Sequence, residues 1–146
     1  MIVIAHNIRS LHNVGAILRS ADAFGIEKVF LTGFTGLPPR KEISKVALGS
    51  DQRVNWEGRE NIIEVITELK KLGRQVIALD NIEGAIAIGQ IESSQPIALV
   101  LGNEVEGLEK AVLDICEITV FIEMPGAKQS LNVSVAAGVA MFALTK

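Results

Sequence analysis

Leu99-Val100-Leu101-Gly102-Asn103-Glu104-Val105-Glu106-Gly107-Leu108 is the stretch on which the fold turns. It closes an apolar run, Ile97 to Leu101, of the length of one buried strand, and then breaks into glycine and polar residues. Four further runs have the same character: Ile2 to Ala5, Lys28 to Thr32, Gln75 to Leu79 and Ile118 to Ile122. Between them apolar residues recur at helical spacing, at Val14 to Phe24, Ile62 to Leu72, about Leu108 to Ile115 and about Asn132 to Leu144. This alternation predicts an α/β fold with a mostly parallel sheet flanked by helices. With 146 residues, 49% of them apolar, the chain is expected to form a single domain over residues 1–146. A chain of that size buries roughly two-thirds of its unfolded surface.

The first helix is the most legible. Val14, Ile17, Leu18, Ala21 and Phe24 make one apolar stripe, Asn13 sits where an N-cap belongs, and Gly25 sits where the helix should stop. Arg19 falls nearly opposite the centre of that stripe and is expected to point outward. The last helix has no continuous polar face, since Val133, Val135, Val139, Met141 and Phe142 are interleaved with alanines. Such a helix calls for cover on every side, from the domain interior or from a second subunit. Loops of functional length are expected at Gly33 to Ile43, Asp80 to Gln95 and Pro125 to Gln129. The first carries Arg40 and Lys41, with Lys45 just beyond.

Composition narrows the function classes. The N-terminal apolar run is short and lacks a basic leader, so it does not resemble a signal peptide, and no apolar run is long enough to span a bilayer. One cysteine, Cys116, and two histidines, His6 and His12, supply neither an internal disulfide nor paired zinc-ligand spacing, so no metal is expected. Net charge is −3, but residues 1 to 60 carry eight basic and six acidic side chains, +2, and the remainder six basic and eleven acidic, −5. Any patch that faces nucleic acid would therefore come from the N-terminal half, although segregation this small is also common in a plain solvated charge mixture.

Gly102 and Gly107 lie five apart after a strand, as in a phosphate-binding loop, but Leu108 and Glu109 follow where lysine and a hydroxyl residue are needed. Gly84 and Gly89, followed by Gln90 and Ile91, fail in the same way, and no G-x-G-x-x-G occurs. Gly-x-Ser-x-Gly is absent as well, and neither histidine has a nucleophile partner nearby. Three polar clusters remain, each at a strand end or helix start: Asn7 to Ala21, Leu99 to Leu108 and Ile122 to Ala136. Four residues in them also have a plain structural reading, Asn13, Ser130 and Asn132 as helix caps and Glu104 as an acid near a helix N-terminus.

Together and in order, the clusters resemble motifs 1, 2 and 3 of the SpoU-type (TrmH-like) RNA 2′-O-ribose methyltransferases of the SPOUT superfamily. Asn13-Val14-Gly15 with Arg19, Gly102-Asn103-Glu104 with Gly107, and Ser130-Leu131-Asn132-Val133-Ser134 match the family pattern. Two positions depart from it: Leu11 and Glu123 stand where the family usually has proline. The resemblance implies a C-terminal deep trefoil knot and a homodimer in the cytoplasm. It also implies S-adenosylmethionine as methyl donor, with S-adenosylhomocysteine as product. Cofactor positions by resemblance are Leu101, Gly102, Asn103, Ile122, Met124, Leu131 and Asn132. Arg19, Asn13, Glu104, Ser130 and Asn132 match the catalytic set, with Arg19 acting on the 2′-hydroxyl or positioning it beside phosphate.

Arginine keeps its proton at neutral pH, which makes electrostatic positioning the safer assignment. RNA contacts are expected from Arg9, Arg19, Arg40, Lys41, Lys45 and Arg53. The substrate class is tRNA or rRNA. The chain resembles a minimal version of the family, with no N-terminal RNA-binding extension. A non-catalytic knotted RNA-binding or assembly factor that retains S-adenosylmethionine binding is the competing reading. A base methyltransferase of the wider superfamily should lack the Asn13 to Arg19 motif.

Overall fold

Ile97 to Leu101 does form a strand, and it lies at the centre of the sheet. The computed structural model describes residues 1–146. In chain order the elements are β1 (Ile2–His6), α1 (Leu11–Ala23), β2 (Lys28–Thr32), α2 (Lys41–Ala47), α3 (Ser50–Arg53), β3 (Trp56–Arg59) and α4 (Ile62–Lys71). There follow β4 (Gln75–Leu79), β5 (Ile86–Ala87), a 3₁₀ turn at Ile88–Gln90, β6 (Ile97–Leu101), α5 (Lys110–Ile115), β7 (Ile118–Phe121) and α6 (Val133–Leu144). The seven strands run in the order β3-β2-β1-β6-β4-β7-β5, every neighbouring pair parallel.

Alternation along each strand sorts side chains onto two faces, because successive Cβ atoms point opposite ways. Val3 and Ala5 of β1 and Leu99 and Leu101 of β6 pack with α1 and with Ala137, Ala140 and Met141 of α6. Ile2, Ile4, Ala98 and Val100 face the other way, onto Ile62, Val65, Ile66 and Leu69 of α4 and Val112 of α5. The result is a helix–sheet–helix sandwich, and the parallel strands deliver all their C-terminal ends, including those of β1, β4, β6 and β7, to one edge.

Several boundaries differ from the sequence expectation. α1 begins at Leu11, and its N-cap is Ser10, whose hydroxyl accepts from the Asn13 N–H at 3.2 Å. Asn13 therefore lies inside the first turn, and its side chain is free for other work. Gly25, with φ of +64°, does follow the end of the helix. α5 starts at Lys110 rather than Leu108, because Gly107 adopts a left-handed φ of +68° and the Leu108 N–H donates to Asp80 Oδ2 at 3.1 Å. Lys41 begins a helix inside the stretch expected as a loop, and β3 and α3 were not expected at all. β3 is an edge strand of half-buried, mixed residues, held by its pairing with β2 rather than by an apolar pattern of its own.

α6 departs from all-round burial. Ala137, Ala140 and Met141 are fully buried, whereas Val135, Val139 and Phe142, at i, i+4 and i+7, lie on one solvent face. No helix is long and apolar enough to cross a membrane.

Candidate active site

The C-terminal edge of the sheet carries a cleft of about 150 Å³ between the ends of β4, β6 and β7. Six of the seven residues expected at a cofactor line it: Leu101, Gly102, Asn103, Ile122, Met124 and Leu131. The seventh, Asn132, stands just behind as the N-cap of α6, accepting from the Ser134 N–H at 2.9 Å and the Val135 N–H at 3.4 Å. Glu104 and Ser130, expected in the catalytic set, line the cleft as well. Leu79, Asp80 and Asn81, at the end of β4, complete the wall and were not expected. A usable signal existed: Asp80 and Asn81 follow an apolar strand just as Gly102 and Asn103 do.

The loop after β6 is a tight hairpin. Asn103 and Gly107 exchange backbone hydrogen bonds at 3.1 and 3.0 Å, and Asn103 Oδ1 accepts from the N–H groups of Val105 and Glu106. A Cβ on Gly102 would lie 2.7 Å from the Gly107 carbonyl carbon, so glycine is what allows the hairpin to fold back on the strand end. The Asn103 amide donates to the Asn7 carbonyl at 2.8 Å, which ties the hairpin to β1.

Glu104 is the centre of a longer hydrogen-bond chain. Its carboxylate accepts from the backbone N–H of Arg9 at 2.9 Å, from that of Ser10 at 3.0 Å and from the Asn13 amide at 3.0 Å. Partial burial pushes the Glu104 carboxyl upward, but the N–H groups of Ser10 and Arg9 and the Asn13 amide outweigh it and hold the group below its ordinary value of 4.5. Asn13 Oδ1 in turn accepts from Asn132 Nδ2 at 3.2 Å. Motif residues from three distant parts of the chain are thus joined end to end, Glu104 to Asn13 to Asn132.

Arg19 does not line the cleft. It is exposed on α1, with no hydrogen bond or ion pair. Ser130 is likewise exposed and without a hydrogen-bond partner. Arg9, Arg40, Lys41 and Lys45 are exposed and unpaired, whereas the Arg53 guanidinium is engaged by Asp22 through Nε at 2.8 Å and Nη2 at 2.6 Å. No group of three or more histidine, cysteine, aspartate or glutamate side chains is placed to hold a metal. Burial pushes the Cys116 thiol up to about 11, with the Glu117 charge adding to it, so the thiol stays protonated at neutral pH.

The cleft suits an adenosyl group. Leu79, Leu101, Phe121, Ile122, Met124 and Leu131 offer apolar surface, and Asp80 and Asn81 add polar groups to its wall. The profile of the SpoU rRNA Methylase family matches residues 1–142.

This chain belongs to the SpoU rRNA Methylase family.

Among SpoU relatives, it is 31% identical over 143 residues to a tRNA (guanosine(18)-2′-O)-methyltransferase of Aquifex aeolicus, covering 97% of this chain and 67% of that one. It is 30% identical to the 23S rRNA (guanosine-2′-O-)-methyltransferase RlmB of Nitrosomonas europaea, covering 97% of this chain and 54% of the relative. The chain therefore spans between about half and two-thirds of the length of these curated relatives. The crystal structure of the A. aeolicus TrmH/SpoU tRNA modifying enzyme superposes with a TM-score of 0.89 at 30% identity, covering 99% of this chain and 73% of that one. The SpoU methyltransferase AviRb of Streptomyces viridochromogenes, solved in complex with AdoMet, superposes with a TM-score of 0.88 at 25% identity, covering 99% and 56%.

Proposed function

We propose that this SpoU-family chain transfers a methyl group from S-adenosylmethionine to a ribose 2′-hydroxyl of tRNA or rRNA. The observation that carries the reading is the Glu104–Asn13–Asn132 hydrogen-bond chain, which draws all three motifs to the rim of one cleft. When bound, S-adenosylmethionine supplies an electrophilic methyl group and leaves as S-adenosylhomocysteine. Leu101, Gly102, Asn103, Ile122, Met124 and Leu131 would hold it, their apolar side chains suiting the adenine and the hairpin backbone offering polar groups. Asn132 fixes the start of α6 and so the position of Ser130 and Leu131 before it. Glu104 and Asn13 set the course of the chain from Arg9 into α1, and with it the orientation of that helix.

Arg19 positions the RNA phosphate and the 2′-hydroxyl electrostatically; its fixed charge stabilises the negative charge developing on the oxygen, and the hydroxyl proton passes to solvent as the oxygen–methyl bond forms. The place of Arg19 on the outer face of α1, away from its own cleft, supports a site completed in a homodimer, each protomer offering its arginine to its partner. The solvent-facing apolar row Val135, Val139 and Phe142, with Phe24 resting on Phe142 at 6.0 Å between rings, supports that assembly. The knot of the family would be formed by the segment leaving β7, which meets the β4 end where Asn81 Nδ2 donates to the Gln129 carbonyl at 3.2 Å before α6 packs onto α1. RNA is met by Arg9, Arg40, Lys41 and Lys45, all unpaired, in the cytoplasm where substrate and donor meet. No observation favours the non-catalytic reading.

Methyl transfer from labelled S-adenosylmethionine to total tRNA and to rRNA, with nuclease digestion and mass spectrometry, tests the proposal. The label is expected in a 2′-O-methylnucleotide, with Arg19→Ala lowering kcat about a hundredfold or more. Donor binding without labelled RNA in either pool would favour the non-catalytic factor.

A further inference from the structure

Aromatic residues are scarce, five phenylalanines and one tryptophan with no tyrosine, and the most exposed of their rings is Phe34 at 63%. Phe24 and Phe142 rest on each other, but Phe34 has no aromatic neighbour. Its exposure does not come from a loose loop. The Phe34 N–H donates to Asn7 Oδ1 at 3.1 Å, and the next residue, Thr35, is buried with its hydroxyl accepting from the Ile8 N–H at 3.0 Å and donating to the Thr32 carbonyl at 2.7 Å. Leu11 lies over Gly36, where a Cβ would come within 2.2 Å of Leu11 Cδ2, and Leu37 covers Gly58, where a Cβ would come within 2.8 Å. Leu11, one of the two departures from the family pattern, thus holds down this loop. The loop is pinned on both sides of a ring turned out to water, which forgoes the gain from burying it.

Phe34 is also in register with the cleft. Asn7, which receives its N–H, is bonded through its own carbonyl to the amide of the cleft-lining Asn103 at 2.8 Å. Arg40 and Lys41 close the same loop and Arg9 follows Asn7 by two residues; none has an acidic partner, whereas Lys28, Arg53, Arg59, Lys70, Arg74 and Lys110 do. The nearby acid Glu109 is engaged by His6 Nε2 at 3.2 Å and by the Asn7 amide at 3.3 Å. An exposed ring on a pinned loop that also carries unpaired cations is a suitable receiver for an unstacked base of single-stranded RNA.

We propose that Phe34 is a stacking platform for a nucleobase of the RNA, held in register with the methyl-transfer cleft by Asn7, Thr35 and Leu11. The inference rests on the proposed RNA substrate but not on turnover. It is tested in the full chain by Phe34→Ala and Phe34→Trp, with total tRNA and a mixed-sequence single-stranded oligoribonucleotide as probes. Phe34→Ala is expected to weaken binding of the oligoribonucleotide about tenfold and to raise the KM for tRNA by a similar factor. Affinity for S-adenosylmethionine and kcat at saturating RNA should stay as in the parent, and Phe34→Trp should restore RNA binding. In a Trp56→Phe background the introduced indole should lose fluorescence when the oligoribonucleotide is added. Unchanged RNA affinity in Phe34→Ala, or an indole indifferent to RNA, overturns the proposal and points to a protein partner at this loop. RNA binding that needs Phe34 without any labelled RNA upholds the platform while overturning the transferase reading; equal labelling by parent and Phe34→Ala at limiting RNA does the reverse.

Discussion

Asn13 uses its side chain as a bridge, and it can do so because Ser10 has taken over the cap of α1. A residue with a good local role was placed by the fold in a long-range one. Asn7 shows a related trade: it accepts a left-handed φ of +52°, tolerable for asparagine, and thereby reaches Phe34, Asn103 and Glu109 at once. Glu104 concentrates the electrostatics of the site. Because its folded pKa lies below the ordinary 4.5, its ionised form contributes stability that is fully present above that value and is lost as pH falls through the folded one. Glu104→Gln is expected to cost about 2 kcal/mol at neutral pH, the scale of hydrogen bonds to a charged acceptor. In urea unfolding the gap between parent and variant should narrow as pH drops below 4.5. A gap independent of pH would mean that shape rather than charge holds the motif together.

Among the elements, α1 and α2 make the tightest contact. A Cβ on Gly15 would lie 2.6 Å from the Ile43 carbonyl oxygen and 2.9 Å from Val46 Cβ, so the motif glycine serves helix packing rather than ligand approach. Gly15→Ala should destabilise by about 1–3 kcal/mol through overpacking, read as a lower urea midpoint with an unchanged slope. Donor binding should persist under native conditions, since the cleft is walled by other elements. α2 itself was hidden in the sequence: only Ile43 and Ala47 of its seven residues are buried, too few for a visible stripe. β3 was hidden for the opposite reason, being defined by the β2 backbone beside it rather than by its own side chains. α1, with six buried residues over 13, and α4, with four over 10, were plain.

At the scale of the whole molecule the exposed apolar row along α6 stands apart from the rest of the surface. Val135, Val139 and Phe142 are 52%, 39% and 53% exposed, in a helix with no charged residue to justify facing water. If the proposed homodimer forms along this row, the parent is a dimer in sedimentation velocity, and Val139→Glu is expected to give a monomer and to abolish methyl transfer while leaving the fold intact, because the side chain lies outside the core. A parent that sediments as a monomer would remove the shared site, and Arg19 would then have to reach RNA without a partner.

The sequence by itself determined the layered α/β class, the buried character of five strands, the inward stripe of α1 and the loops that carry polar chemistry. These follow from periodicity and from glycine and asparagine at strand ends, which are local properties of a chain. Tertiary structure alone decided that Glu104 and Asn13, 91 residues apart, and Asn13 and Asn132, 119 apart, share one hydrogen-bond chain. It also decided that Asp80 and Asn81 join the cleft, and that α6 keeps one apolar face open. The reason is strand order: β6 inserts between β1 and β4, and no periodicity within a segment says which strand will be its neighbour.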